Sequence, residues 1–402
     1  MTLTPAMKQF YELKQKYSDS LLFFRMGDFY ELFDEDAKIA HKILGIALTT
    51  RNKNAQNPIP LAGIPFHAKE KYLPLLVNAG YKVAIAEQVS DPKLKGIVKR
   101  EVVRIVTPAT LELEGENYDS GESPNTLLSL TYKKGIFGLS SLDISTHKWI
   151  SSEYTKKEKL QEYIYKLQPK EVILERESFQ ENISDEAKKV IEILQKKYHL
   201  NIYYYQVSQD SYTYLTSHFK IKNLSAFGLE GKTQAIQASS QLLEYIEKNQ
   251  QENLSFLKQI TYTQASEYME LDEATIKNLD LVYNFMTKSA KVGTLYGTLN
   301  KTKTSMGNKY LYDQILHPLQ SKQDIDMRLN FIQECIKNPP LLDGIRKELS
   351  GIGNIDAVLN RIALGRANAR DMIHLKNSLI HIQSVYKLIE QKGSPTLQKI
   401  IS

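Results

Sequence analysis

The residues best suited to chemistry stand in one run, Arg25-Met26-Gly27-Asp28-Phe29-Tyr30-Glu31-Leu32-Phe33. Side chains alternate along an extended segment, so Phe29, Glu31 and Phe33 fall on one face and Asp28, Tyr30 and Leu32 on the other. Gly27 leaves room for another backbone or a bulge just before Phe29. By residue type alone the run reads first as structure, with Phe29 in the core and Glu31 as an edge charge that discourages sheet aggregation. Elsewhere the chemistry thins out. The phosphate-loop pattern G-x-x-x-x-G-K-[ST] is absent, and Gly293 to Gly297 lacks the Lys-Ser/Thr that would follow. His374 and His381 are seven residues apart, whereas helical metal sites commonly use spacings of about three or four. No G-x-S-x-G nucleophile pattern occurs. Asp143, a lone carboxylate in a strand pattern, reads as a strand-end polar group and not as a nuclease carboxylate. The single cysteine, Cys335, excludes a disulfide framework and a cysteine-based zinc site, and fits a reducing cytosol. No catalytic, cofactor-binding or metal-ligating set is expected.

Several elements must position that run. Thr4-Pro5 reads as an N-cap with proline in the first turn, followed by Phe10, Leu13 and Tyr17 at helical spacing. Leu21 to Phe33 is apolar and aromatic enough to read as one strand. Asp34-Glu35-Asp36 suits a helix start and Gly45 its end. A strand at Ile46–Arg51, a helix from about His67 to Gly80, and strands at YKVAIAEQ and REVVRIVT complete a mixed α/β unit over residues 1–108. It carries 16 Lys/Arg against 11 Asp/Glu, most of the chain's net charge of +6. The late cluster Lys93, Lys95, Lys99, Arg100 and Arg104 reads either as a solvated basic edge or as a phosphate-contacting surface.

Residues 109–125 are acidic and turn-rich, a linker by composition. Residues 126–250 open with three hairpin-spaced strands (LLSLTY, GIFGLSSLDIST, KWISSEY), then a helix and the strand EVILER, which predicts a mixed sheet flanked by helices. From Lys232 helical periodicity takes over, and residues 251–402 read as all-α, with a helix at Asp371–Gln391. Only eleven residues follow that helix, so either the gene product is short or the sequence is a fragment. The length of 402 residues with 42% hydrophobic and 24% charged composition suits two to four domains. No apolar run approaches the ~18 residues of a membrane span, and the first residues lack a signal-peptide core.

Long ordered runs carry a family resemblance. TPAMKQFYELKQKYSDSLLFFRMGDFYELFDEDAK, PLAGIPFHAKEKYLPLLVNAGYKVAIAEQ and KGIVKREVVRIVTPAT resemble the opening of the bacterial MutS mismatch-repair family. LDEATIKNLDL, TLYGTLNKTKTSMGNKYLYDQILHPL and IDAVLNRIALGRANARDM resemble its helical core. The resemblance is weakest over about 150–230. The family usually has Cys where Ala86 stands and Gly where Ala109 stands, changes read as local packing.

The resemblance implies a mismatch-recognition domain, a ribonuclease-H-like connector that docks a MutL-like repair partner, and the first part of a helical core and lever. It implies that Phe29 and Glu31 are the F-x-E pair that probes duplex DNA for mispaired or looped bases. Met26 and Asp28 lie beside them, and Arg51 and Lys53 contact DNA. Arg361, Arg366 and Arg370 would hold helix ends and ion pairs. Full-length members bind ATP and magnesium and form homodimers, but the clamp, return helix and ATPase of the family do not occur in this sequence, so no cofactor is expected within it. The implied location is cytoplasmic and nucleoid-associated. Two other readings compete: a truncated interaction protein that docks partners without clamping DNA, and a nuclease resting on fold analogy alone.

Overall fold

The computed structural model describes residues 4–51, 58–90, 98–111, 126–144, 146–250, 254, 257–263, 268–363, 365 and 367–393. Helix α1 (Pro5–Lys16) follows Thr4 in extended conformation, with proline at its first position, where the missing N–H costs nothing. Strands β1 (Ser20–Met26) and β2 (Phe29–Phe33) form an antiparallel hairpin, where one strand was expected. Gly27 sits at φ 58° in the first position of the two-residue turn, a left-handed conformation that glycine adopts without penalty. A Cβ on Gly27 would meet nothing within 4 Å, so the glycine serves the turn and not the close approach expected of it.

Helix α2 (Asp34–Leu44) starts on the acidic triplet and ends on Gly45 at φ 67°. Short β3 (Thr49–Arg51) and β4 (Ile59–Pro65) follow, then α3 (Lys69–Asn78), β5 (Lys82–Gln88) and β6 (Arg100–Val106). The sheet order is β3-β4-β2-β1-β5-β6, with β1–β5 parallel and the other pairings antiparallel. Both faces are covered. Leu21, Phe23, Tyr30, Leu32, Ile64 and Val83 pack under α2 and α3. Leu22, Phe24, Phe33, Ala84 and Ala86 pack under Met7 and Phe10 of α1.

The second unit begins with the antiparallel strands β7 (Thr126–Lys133), β8 (Ile136–Asp143) and β9 (Lys148–Tyr154). Helices α4 (Lys157–Leu167) and α5 (Asp185–Glu192) alternate with β10 (Glu171–Glu175) and β11 (Asn201–Tyr205), which run parallel beside β7. After α6 (Ser211–Phe219), the long α7 (Thr233–Gln250) lies on the sheet, and β12 (Thr261–Tyr262) adds to β9 in parallel. The mixed sheet flanked by helices is as expected, in the order β11-β10-β7-β8-β9-β12. The start of α7 presses so closely on β8 that a Cβ on Gly138 would stand 2.1 Å from the carbonyl oxygen of Gln234. Two side chains of the sheet hold it there. The Thr131 hydroxyl donates to that carbonyl at 3.0 Å, and the Glu153 carboxylate accepts from the amides of Gln234 (2.8 Å) and Ala235 (3.2 Å).

The third unit is helical: α8 (Glu273–Asn278), α9 (Leu295–Leu299), α10 (Ser305–Leu316), α11 (Lys322–Lys337), α12 (Pro339–Leu349), α13 (Ile355–Ala363) and α14 (Ala369–Lys392). Capping side chains set the starts of α8 to α12, from Asp272, Thr294, Thr304, Ser321 and Asn338. Asn368 and Asp371 form a capping box for α14. Arg361 makes the expected ion pair, two nitrogens on one Asp371 oxygen at 3.0 and 2.5 Å. Arg366 lies outside the described residues. No helix among them is long and apolar enough to cross a membrane.

The first two units meet at a charged junction in which Lys82 and Glu171 are buried. The Lys82 ammonium lies 3.1 Å from Asp19 and 3.8 Å from the Tyr203 ring centroid. Beside it, buried Glu171 accepts from the Tyr245 hydroxyl and, at 3.3 Å, from the Ala109 amide. Burial holds the Glu171 carboxyl above its usual range, against the hydrogen bonds that favour its charge.

Candidate nucleic-acid interface

Residues opposite each other across strands share a sheet face. The register Met26↔Phe29, Phe24↔Glu31, Phe29↔Pro65 and Glu31↔Gly63 therefore gathers Met26, Phe29, Glu31 and Gly63 on the side that α1 covers. The helix shields only the far end of that face. Phe33 is 1% exposed, edge-on to Phe10 at 4.8 Å, whereas Phe29, four residues earlier at the turn, is 48% exposed. The expected alternation holds, but the reading of Phe29 as core does not: its ring is half in solvent. Met26 beside it is partly buried, and Asp28 is exposed in the turn.

Glu31 sits behind Phe29, half-buried, with an oxygen 3.4 Å from Arg51. Burial pushes its carboxyl above the ordinary range, while Arg51 and Arg100 pull it back. Arg100 is itself held below its usual value by burial, with Glu31 opposing. Both arginines also lie near aromatic rings: Arg51 is 5.7 Å from the Phe33 centroid and Arg100 is 5.1 Å from that of Phe24. Gly63 lies against the pair: a Cβ there would stand 3.4 Å from the Tyr30 carbonyl oxygen, 3.9 Å from Glu31 Cγ and 4.0 Å from a Phe29 ring carbon, all ordinary contact distances.

The structure thus brings together Met26, Asp28, Phe29, Glu31 and Arg51. Lys53 lies outside the described residues, as do Lys93 and Lys95. The rest of the basic cluster is not a uniform solvated edge. Lys99 is exposed and paired with Glu101 at 2.5 Å, but Arg104 is 4% exposed and donates to the Thr110 carbonyl at 3.0 Å. Pairing of β6 with β5 places Arg104 opposite Ile85, facing inward.

Three neighbours of the turn are not among the site residues that the sequence suggested. Arg25, opposite Tyr30, lays its guanidinium 3.7 Å from the centroid of the Phe66 ring, which is 41% exposed. The Phe66 amide donates to the Asp28 carbonyl at 2.9 Å, tying the start of the segment before α3 to the turn. Glu87 accepts from the Tyr30 hydroxyl and lies 4.0 Å from Arg25. Only the register of β2 against β4, a long-range pairing, brings Phe66 to this place.

No group of three His, Cys, Asp or Glu residues is placed to hold a metal ion among the described residues. Asp143 ends β8 opposite Lys148. A polar cavity of about 450 Å³ lies in the helical unit, lined among others by Lys303, Ser305, His374 and His381.

The succession of a mixed sheet with an aromatic turn, a second mixed sheet and a helical unit is matched, unit by unit, by the domains of one DNA mismatch-repair family. Residues 4–114 match MutS domain I, 125–258 MutS domain II and 274–401 MutS domain III. The chain belongs to the MutS family and comprises its N-terminal domains I, II and III. It is 39% identical over 393 residues to the DNA mismatch repair protein MutS of Halothermothrix orenii, covering 97% of this chain and 43% of that protein. To those of Methanosarcina mazei and Staphylococcus aureus it is 38% and 36% identical, covering 99% of this chain in each case and 45% and 43% of those proteins. The chain thus spans less than half the length of these relatives.

Proposed function

We propose that this chain recognises mispaired or looped-out base steps in duplex DNA by inserting Phe29 into the weakened step, with Glu31 hydrogen-bonding the stacked base. The observation that carries the reading is a half-exposed phenylalanine at a tight turn with a half-buried carboxylate two residues behind it. A step that has lost pairing and stacking kinks at lower cost than a matched one, so a wedge selects it by deformability. Aromatic stacking tolerates any base, as a reader of many mispairs requires. Arg51, Met26 and Asp28 line the approach, and Arg51 and neighbouring lysines hold phosphates without reading sequence. Fluorescence anisotropy with matched and single-mismatch duplexes tests this directly. Binding is expected to be weak and to fall steeply with salt; equal affinity for the two duplexes would overturn the proposal. On the family resemblance, docking of a MutL-like partner belongs to the second unit of this chain and ATP turnover to a domain outside the three matched here; neither is part of what this interface does.

Glu31 gives a pH prediction. To donate to a base nitrogen its carboxyl must be protonated, which burial already favours and the phosphate field favours further. The carboxyl's pKa is then higher in the complex than in the free protein, so binding takes up a proton. Mismatch affinity is expected to be flat below the free-state value, to fall as pH rises between the two values by about tenfold per unit of separation, and to level off above. Glu31→Gln removes the slope. It also removes a charge that repels phosphate, worth about 1 kcal/mol at ~4 Å in water, so matched-duplex affinity rises about fivefold. An unchanged pH profile in the variant would take Glu31 out of the mechanism.

A further inference from the structure

We propose that Arg25 is a positioning residue for the wedge: its guanidinium brackets the Gly27-Asp28 turn against Phe66 and Glu87 and so fixes the Phe29 ring in its projecting orientation. This rests on the mismatch-binding reading above and names the part of the fold that makes the wedge stiff.

Arg25 contacts both limbs of the hairpin and both elements beside it. Its Nε donates to the Gly27 carbonyl at 2.5 Å, within the turn itself. Its flat face covers Phe66 at 3.7 Å and lies 5.5 Å from the Tyr30 centroid, while an NH group approaches Glu87 at 4.0 Å. Glu87 in turn accepts from the Tyr30 hydroxyl. The Arg25 backbone carbonyl accepts from Arg100 Nε at 2.6 Å, so β6 holds the base of the hairpin from the other side. Phe66 closes the ring of contacts through its amide, which donates to Asp28. Only 17% of the Arg25 side chain is exposed, which places its charge inside this bracket. Arg25 shares a sheet face with Tyr30 and Phe29 shares the other with Met26, so the guanidinium acts on the Phe29 ring through the turn backbone that it holds at the Gly27 carbonyl. A planar fork that stacks and donates at once is what arginine supplies and lysine does not.

The test compares wild type, Arg25→Lys and Phe66→Leu for affinity to mismatched and matched duplexes, thermal midpoint, and hydrogen exchange of the Phe66 amide. Lysine keeps the charge and loses the flat face; leucine keeps apolar bulk and loses the ring. The expected result is a mismatch affinity lowered about tenfold in each variant, a smaller loss on matched DNA, faster Phe66 amide exchange and little change in midpoint. Wild-type discrimination retained in both variants would overturn the proposal, as would equal losses on the two duplexes in Arg25→Lys. A wild type that does not discriminate would instead sink the mismatch reading. Amide exchange would then still decide whether Arg25 holds the turn.

Discussion

Phe29→Ala is expected to lower affinity for a mismatched duplex by one to two orders of magnitude while leaving the folded protein nearly as stable as before. The magnitude follows from base–aromatic stacking, about 1–3 kcal/mol per base. The selectivity follows from exposure: the ring is 48% exposed and lies outside the buried clusters on either sheet face, so its removal leaves no cavity. Phe33→Ala is the internal control. That ring, on the same face of β2, is 1% exposed and edge-on to Phe10, and deleting a buried phenylalanine costs about 3–5 kcal/mol. Phe33→Ala should therefore lose binding to both duplexes through unfolding, visible in the thermal midpoint. If Phe29→Ala behaved likewise, Phe29 would be a folding residue and the wedge would be excluded.

The second large effect is structural. Gly138→Ala is expected to destabilise the second unit by about 3 kcal/mol, at the upper end of the usual overpacking range. The new methyl would be driven into the Gln234 carbonyl, which is backbone and cannot turn aside. Nor can α7 simply lift, because Thr131 and Glu153 bind its first turn to the sheet. At roughly 2–4 °C per kcal/mol for a unit approaching this size, calorimetry should show a transition lowered by about 6–12 °C. Gly344→Ala in α12 provides the contrast. Its Cβ would meet only Leu388, at 3.5 Å, and alanine is favoured over glycine within a helix by about 1 kcal/mol. Equal shifts at the two glycines would refute the packing account.

Much of this was legible in the residues, and the failures have identifiable causes. The helix starts at Pro5 and Asp34 and the stop at Gly45 are local events, written in residues that touch their own backbone. The alternation that puts Phe29, Glu31 and Phe33 on one face is likewise local. Whether a face is covered is not: Phe33 and Phe29 differ only in their distance from α1, which a pattern within β2 cannot express. Strand β4 went unseen because IPLAGIP carries proline and glycine, residues that weaken a strand reading; it becomes a strand by pairing with β2 and β3. Arg104 was grouped with exposed lysines because its burial depends on the register of β6 against β5. Arg25 and Phe66 are 41 residues apart, and their stacking is a property of the assembled sheet.

Strand β5 ends at two very different anchorages. At one end Lys82 is gripped by the aromatic rings of the second unit; at the other Glu87 supports the residues under the hairpin turn. Five steps of extended chain separate them, roughly 17 Å at ~3.3 Å each. Because β5 is hydrogen-bonded to β1 on one side and β6 on the other, the footing against the second unit and the footing under the tip are parts of one continuous sheet.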